Sequence, residues 1–330
     1  MTVVDIHSHF YPNQLPDFSS RFDGEWPGFY ATDAGKGMIT LGGKDFRPVY
    51  EACWNPNVRV EEMDQHGIDI QILCATPLLF AYDKPIEQAA EWAKQVNDSA
   101  RELCANNAQR LRTLCQVPLQ DIDASCAELS RAKECGHVGV QIGNHVGLKN
   151  LDDEGIITFL QHCADENMPV LVHPWDMMSA ERMPRYMLQW LVAMPAETQL
   201  SVLSLILSGA FERIPVSLKL CFAHGGGRFA FLLGRVENAW QHRDIVREDC
   251  PHPPSHYCNR FYVDSAVFDE QALKLLTGVM GTERVMLGSD YPFPLGEQEI
   301  GKLIRQSQQH NEDEKARLLG LNALEFFALG

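Results

Sequence analysis

Four side chains that commonly ligate metals lie where separate apolar runs end. His7 and His9 follow the run Val3–Ile6 and are two residues apart, so on a strand they project to the same side. His173 ends another run, and Asp290 follows a third. Three imidazole nitrogens and one carboxylate oxygen suit Zn²⁺. We therefore predict one zinc ion per chain, held by His7, His9, His173 and Asp290.

A fourth histidine, His224, ends a further apolar run and precedes three glycines, Gly225–Gly227. Glycines let the backbone approach a site closely. Because four ligands are already assigned, we predict that His224 acts as a general acid or base beside the metal, with Asp290 assisting in proton transfer. The alternatives, a further ligand or a core histidine, stay open at this point.

Strands that alternate with helices must position these side chains. Eight apolar runs predict strands: Val3–Ile6, Ile68–Cys74, Thr113–Val117, Val138–Ile142, Val170–Val172, Leu218–Phe222, Phe261–Val263 and Val285–Leu287. Segments of helical periodicity lie between most of them: Ile86–Ala105, Asp123–Glu134, Asp152–Glu166, Pro195–Glu212, Phe229–Val246 and Glu270–Met280. Eight such repeats predict an α/β fold, a closed (β/α)₈ TIM barrel, whose active site lies where the strands end.

The length of 330 residues accommodates such a barrel as a single domain, residues 1–330, with two additions. Residues 10–60 contain glycines, prolines and aromatics without a long helical pattern. They predict a small insertion after strand 1 that forms a β-lid over the barrel mouth. The segment Glu312–Leu329 predicts a C-terminal helix.

Composition limits the partners. The net charge of −16 argues against nucleic acid or an anionic membrane surface. The most apolar stretch, Leu200–Phe211, is shorter than a membrane span. Ten cysteines without a Cys-x-x-Cys pair are typical of buried thiols in a reducing compartment, so we expect a cytoplasmic protein. An acidic substrate would need local cations, and arginine (18) outnumbers lysine (10) here.

Several longer stretches make the pattern more specific. They are Phe46-Arg47-Pro48, His173 to Met178, Ala193 to Pro215, His224 to Arg247 and Gly288 to Gln298. With the His7-Ser8-His9 segment, the chain resembles, over nearly its full length, a family of metal-dependent decarboxylases within the amidohydrolase superfamily. Members of that superfamily that bind two metals usually carry a bridging lysine or glutamate on strand 4. Val138–Ile142 has neither residue, which favours a single ion.

The resemblance implies further roles. It implies that His224 activates a water on the zinc, and that Arg47 in the predicted lid binds a substrate carboxylate. Arg235 matches a second carboxylate-binding arginine, which the neighbouring subunit of a homodimer donates. Trp190 could form a wall of the pocket. The implied reaction is loss of CO₂ from 2-amino-3-carboxymuconate 6-semialdehyde, a small-molecule dicarboxylate of tryptophan or nitroaromatic catabolism.

Other readings fit the same ligands. A metal-dependent hydrolase could open a lactone or amide on this scaffold, and a sister decarboxylase could act on a hydroxybenzoate. A non-catalytic metal-binding protein fits less well, because His224 accompanies a complete ligand set. The sequence also leaves open the roles of four residues near the predicted site: Trp175, Arg243, Arg247 and Asp264.

Overall fold

A parallel sheet of eight strands organises the structure, a computed structural model that describes residues 1–32 and 35–329. The strands are hydrogen-bonded to one another in chain order. They are β1 (Val4–Phe10), β2 (Ile70–Ala75), β3 (Leu111–Gln116), β4 (Gly139–Gly143), β5 (Val170–His173), β6 (Leu220–Phe222), β7 (Tyr262–Asp264) and β8 (Val285–Met286). Each overlaps one predicted run. The first strand continues to Phe10, so His7 and His9 lie within it rather than after it.

Backbone hydrogen bonds beyond β8 bring the sheet back to β1. The N–H of Ile6 donates to the carbonyl of Leu287 at 2.9 Å, and the N–H of Asp290 donates to the carbonyl of His7 at 2.9 Å. The sheet therefore closes on itself with helices outside, and the predicted (β/α)₈ barrel is confirmed.

The barrel interior is a separate apolar cluster. Alternate strand residues fill it: Val4, Ile6, Ile72, Cys74, Leu114, Leu171, Cys221 and Met286. Phe326 and Phe327 of the C-terminal helix join this cluster. Their contacts with Tyr262 and with the backbone at Gly139, both first residues of strands, place them at the end of the barrel opposite the predicted site. The strand residues of opposite parity pack against the surrounding helices.

Each of the six predicted helical segments overlaps one or more of the outer helices. The outer helices are Phe18–Arg21, Pro56–His66, Ile86–Cys104, Ile122–Glu134, Glu154–Asp165, Met194–Leu207, Ala210–Arg213, Phe229–His242, Asp244–Arg247, Glu270–Met280, Lys302–Gln306, Glu312–Ala316 and Asn322–Phe327, with π-helical turns at Gln189–Ala193 and Arg317–Leu321. Two predicted helices are each divided. Gly209, at φ 68°, ends the first piece of one, and the extended backbone of Arg243 separates the pieces of the other.

The helix Pro56–His66 was missed, because residues 10–60 were assigned to the insertion as a whole. Its local signals are nonetheless regular. The Asn55 side chain accepts from the N–H of Asn57, proline occupies the first helical position, and Gly67 ends the helix in the left-handed conformation. The helical face is weakly apolar, so the pattern was less visible than the end signals.

The rest of the predicted insertion forms an antiparallel sheet of three strands, Pro27–Ala31, Lys36–Leu41 and Lys44–Tyr50. Trp26 and Ile39 are fully buried and belong to the main apolar cluster, so the sheet is packed onto the barrel. A second small hairpin, His145–Val146 with Lys149–Asn150, follows β4.

One helical run, Gln189–Leu207, is long and apolar enough, by length and composition alone, to cross a membrane. Val202, Leu205 and Ile206 of this run are fully buried in the main cluster. Core helices of globular proteins share such lengths and compositions. The predicted absence of a membrane partner therefore stays a prediction.

Candidate metal centre and active site

The four predicted metal ligands lie together at the end of the barrel where the strands finish. One ligand atom from each of His7, His9, His173 and Asp290 lies within 4.8 Å of all the others. The Nε2 atoms of His7 and His9 are 3.1 Å apart, and Asp290 Oδ1 lies 3.0 Å from His9 Nε2. An irregular register between β1 and β2 near His7 accompanies this arrangement.

The hydrogen bonds of these side chains fit a metal ion. The Nδ1 of His173 donates to the carbonyl of Pro174 at 2.9 Å, and the Nδ1 of His7 donates to Asp264 at 2.7 Å. Each donation leaves Nε2 as the atom with the free lone pair. The buried Nε2 of His173 has no partner among the described residues. Convergent, unprotonated nitrogens beside a carboxylate suit a divalent cation.

Electrostatics favour the protonation states that a cation needs. Burial lowers the pKa of His9, and it holds the pKa of His173 well below its ordinary value. For Asp290, burial acts to raise the pKa, but the neighbouring imidazoles of His224, His9 and His7 outweigh it and hold the pKa far below normal. Neutral imidazoles and an ionised carboxylate bind a metal without first releasing protons.

His7 differs from the other ligands in its basicity. Burial acts to lower its pKa, but the hydrogen bond and charge of Asp264 outweigh burial and raise it above the ordinary value. A histidine whose outer nitrogen donates to a carboxylate is the more basic ligand. The Asp264–His7 pair therefore strengthens one ligand of the cluster.

His224 sits against the cluster without belonging to its closest four atoms. Its ring centroid lies 5.2 Å from that of His7 and 5.1 Å from that of His173, and its Nε2 is 3.8 Å from Asp290 Oδ2. Neither buried ring nitrogen has a hydrogen-bond partner within the described residues. A histidine placed this way is free to exchange a proton with a ligand beside the metal.

The backbone around His224 explains its placement. His224 and the three glycines that follow all have φ between 55° and 70°. At Gly227 a side chain would meet the carbonyl oxygen of Pro195 at 2.2 Å, so only glycine fits there. These glycines turn the chain sharply at the site and lead into the helix Phe229–His242.

Arg47 reaches the site from the third strand of the insertion. Its guanidinium carbon lies 5.3 Å from the Phe293 ring centroid and 5.7 Å from that of Trp190. The Phe293 ring lies 5.1 Å from the His9 ring. Burial lowers the pKa of Arg47, against the opposing charge of Asp290, yet an arginine remains charged at neutral pH. The structure thus brings Arg47 and Trp190 together beside the metal ligands.

Arg235 is not part of this arrangement within one chain. It is exposed on the helix Phe229–His242 and makes no hydrogen bond or ion pair in the part of the chain that the structure describes. Arg243 and Arg247 are also exposed, whereas Trp175 packs edge-on against Phe80.

Other supporting residues escaped the sequence reading. Arg59 is fully buried and donates to the backbone carbonyl of His9, to the carbonyl of Ala52 and to Gln71 Oε1. A basic residue in a weakly apolar helix gives no sign of such burial. Phe293 was also missed, and only its position three residues after Asp290 could have suggested it.

A (β/α)₈ barrel with three histidines and an aspartate at its strand ends defines a metal-dependent enzyme. The family model described as amidohydrolase matches residues 4–329, and the chain belongs to that family.

Two relatives name a reaction. The chain is 40% identical to the 2-amino-3-carboxymuconate-6-semialdehyde decarboxylase of Dictyostelium discoideum, over 99% of this chain and 91% of that protein. It is 30% identical to the protein of the same name from Caenorhabditis elegans, over 98% and 93%. This chain is therefore a carboxy-lyase of the amidohydrolase superfamily, and its reaction class is metal-dependent decarboxylation.

Solved structures share the fold. The apo IDCase of Metarhizium anisopliae has a TM-score of 0.85 at 23% identity, covering 99% of this chain and 97% of that one. A dihydroxybenzoic acid decarboxylase from Polaromonas sp. JS666, solved with bound manganese and an inhibitor, has a TM-score of 0.76 at 21% identity, with coverage of 99% and 97%.

Proposed function

We propose that this enzyme converts 2-amino-3-carboxymuconate 6-semialdehyde to 2-aminomuconate 6-semialdehyde and CO₂, with one Zn²⁺ held by His7, His9, His173 and Asp290. The observation that carries the proposal is Arg47. A half-buried cation lies between two aromatic rings beside the ligand cluster, and no described carboxylate pairs with it. Such a guanidinium is suited to the carboxylate of an acidic substrate. The 40% identity to a relative named for this reaction supports the same substrate.

The residues divide the work of decarboxylation. Arg47 binds one substrate carboxylate, and the Trp190 and Phe293 rings beside it shield the ion pair from water. When bound, the metal supplies Lewis acidity that polarises substrate oxygen atoms. As the bond to CO₂ breaks, its electron pair stays on the substrate carbon, which must gain a proton. His224 donates that proton from Nε2, and Asp290 Oδ2, 3.8 Å away, stabilises the protonated ring beforehand.

The choice of zinc is part of this proposal. Three imidazole nitrogens and one oxygen favour Zn²⁺ over Mg²⁺ or Ca²⁺, but they also accept other transition metals. The Polaromonas decarboxylase was solved with manganese. Metal-free protein should therefore be reconstituted with Zn²⁺ and with Mn²⁺ in parallel. Zinc is refuted if only manganese restores turnover at equimolar metal.

A homodimer that shares Arg235 between subunits also belongs to the proposal. Phe231, one helical turn before Arg235 on the same face, is 78% exposed. Leu191 and Val192 add apolar surface that is 58% and 42% exposed. Exposed apolar side chains, one of them a helical turn from an arginine that has no partner among the described residues, suit a second copy of this chain better than solvent.

The substrate assignment is tested by direct turnover. Purified protein of known metal content would receive enzymatically generated aminocarboxymuconate semialdehyde, while substrate absorbance and CO₂ release are followed. We expect both signals, with one CO₂ per substrate consumed. A hydroxybenzoate and a simple lactone serve as comparison substrates. Release of CO₂ from the hydroxybenzoate alone, or hydrolysis of the lactone without CO₂ release, would overturn the assignment.

Subunit mixing tests Arg235. The variants Arg235→Ala and His224→Asn should each be inactive as homodimers. After subunit exchange, a mixed dimer has one site with both residues intact only if Arg235 acts across the interface. Random pairing in equal amounts then restores about one quarter of wild-type activity. No recovery despite demonstrated exchange would place Arg235 in its own subunit's site or outside catalysis.

The cellular setting completes the proposal. We expect the chain to act as a single domain in the cytoplasm, without nucleic acid or membrane partners, in tryptophan or nitroaromatic catabolism. Ten unpaired cysteines, eight of them buried, agree with a reducing compartment.

A further inference from the structure

Asp264, the last residue of β7, lies between two functional segments of the site. Its side chain is fully buried. One oxygen, Oδ2, accepts from His7 Nδ1 at 2.7 Å. The other, Oδ1, accepts from the N–H of Gly225 at 2.8 Å and from the N–H of Ala266 at 3.1 Å. The two oxygens therefore serve a metal ligand on one side and the His224 loop on the other.

The contact with His7 determines which ring nitrogen faces the metal. A carboxylate only accepts hydrogen bonds, so His7 must carry its proton on Nδ1. The lone pair then lies on Nε2, the atom that points at His9 and Asp290. Removal of this acceptor would allow the other tautomer, in which Nε2 is protonated and cannot ligate.

The contact with Gly225 holds the proton-transferring residue. The ring nitrogens of His224 have no partner among the described residues, so hydrogen bonds from the ring do not orient it. Its position depends on a backbone in the left-handed region, at φ 55° for His224 and 61° for Gly225. The N–H between these two residues is the group that Asp264 binds.

The packing beside Gly288 brings the side chains of Asp264 and His7 close together. A side chain at Gly288, just beyond β8, would meet the Cβ of Asp264 at 2.7 Å and the Cβ of His7 at 3.0 Å. The glycine therefore permits these two side chains to approach. Asp264 lies on β7 and His7 lies on β1, so the barrel strands set the approach of the two side chains.

We infer that Asp264 is a positioning residue that couples metal affinity to proton transfer, because one carboxylate fixes both the His7 tautomer and the His224 loop. This inference rests on the metal site and on the role of His224 in the proposed function. It does not depend on which acid is decarboxylated. This coupling requires that both oxygens of Asp264 act as hydrogen-bond acceptors at the same time.

The variant Asp264→Asn tests this requirement, because an amide of the same shape offers one acceptor and one donor. If its oxygen faces Gly225, its NH₂ faces His7 and imposes the wrong tautomer. If the amide is rotated the other way, its NH₂ faces the N–H of Gly225. Two donors then face each other, and the His224 loop is displaced. We expect metal affinity to fall about 10- to 100-fold in the first case, measured by competition with a chelator. In the second case we expect kcat to fall at least tenfold at saturating metal, while metal affinity is retained.

A matched control separates positioning from capping. Asp269 also accepts from two backbone N–H groups, those of Gln271 and Ala272, at an exposed helix start. Asp269→Asn keeps the capping oxygen, so thermal stability, metal affinity and kcat should all stay close to those of the wild type. Nitrogen-15 NMR of metal-free protein should show His7 protonated at Nδ1 in the wild type. In Asp264→Asn protein whose metal affinity has fallen, His7 should be protonated at Nε2.

The inference fails if Asp264→Asn keeps metal affinity and kcat both within twofold of the wild type. It also fails if Asp264→Asn loses only thermal stability. Should the wild type not turn over aminocarboxymuconate semialdehyde, the substrate proposal fails separately, because metal affinity and the NMR tautomer still test Asp264.

Discussion

The variant His224→Asn tests the central assignment of the site. The substitution removes a group beside the predicted metal ligands that can carry a proton without also being a ligand. Asparagine occupies a similar volume at the start of the glycine turn but does not titrate near neutral pH. The four ligand atoms of the cluster come from other residues, so metal stoichiometry should stay at one ion per chain.

Two effects of this change can be compared in size. Loss of a general acid or base typically lowers the rate 10²- to 10⁴-fold, or about 2.7 to 5.4 kcal/mol in the activation barrier. The other effect is the loss of the electrostatic contact between His224 and the Asp290 carboxylate. Its Oδ2 is 3.8 Å from His224 Nε2, longer than a hydrogen bond, so that contact contributes at most about 1 kcal/mol. Metal affinity should therefore fall less than about fivefold, far less than kcat.

Steady-state kinetics with metal analysis on the same preparation decides the matter. His256→Asn is the matched control, since His256 is exposed and distant in sequence from every ligand. It should behave as the wild type. If His224→Asn retains full metal and kcat within threefold of the wild type, the role of His224 in proton transfer is refuted. Metal lost in proportion to activity would instead make His224 a ligand.

Three further outcomes are expected. Arg47→Met should raise KM about 10- to 100-fold with a smaller change in kcat. The KM of Arg47→Lys should lie between those of Arg47→Met and the wild type, because lysine keeps the charge but lacks the planar fork. An unchanged KM in both variants would remove Arg47 from substrate binding. Chelation should abolish turnover, and a stoichiometric divalent ion should restore it; full activity with no detectable metal would rule out the metal site. Burial lowers the pKa of His137 to about 4. The unfolded state therefore binds the extra proton first, and the free energy of unfolding should fall as the pH drops from about 6.5 to about 4, by about 3 kcal/mol in total. In His137→Gln protein, urea melts across this range should lose that component, and an unchanged pH dependence would contradict the assignment.

The strands and the clustering of the four predicted metal ligands were predictable because both depend on local signals. Short apolar runs mark the eight strands, and polar residues at their ends mark the mouth of the barrel. His7 and His173 needed only this rule. The exact extent of β1 was not predictable, because pairing with β2 and hydrogen bonds with residues beyond β8 continue the strand through the two histidines to Phe10.

The supporting contacts were less accessible because they join residues far apart in the chain. The sequence leaves the role of Asp264 open, and only the structure shows its carboxylate 2.7 Å from His7. Arg59 gave no signal at all, since its burial depends on packing against β1 and β2. The role of Arg235 was proposed from the resemblance, but the structure of one chain does not test it, because that role requires a second subunit.

The seam between β1 and the segment after β8 has a consequence for the order of folding. This seam joins residues that lie nearly the whole chain apart, and His7 and His9 stand on one side of it while Asp290 stands on the other. The full ligand set therefore forms only after all eight strands have been synthesised and the ring has closed. A metal ion bound there links the two ends of the sheet and stabilises the closed ring over the open one. The ion that supports decarboxylation thus also stabilises the completed barrel relative to partly folded chains.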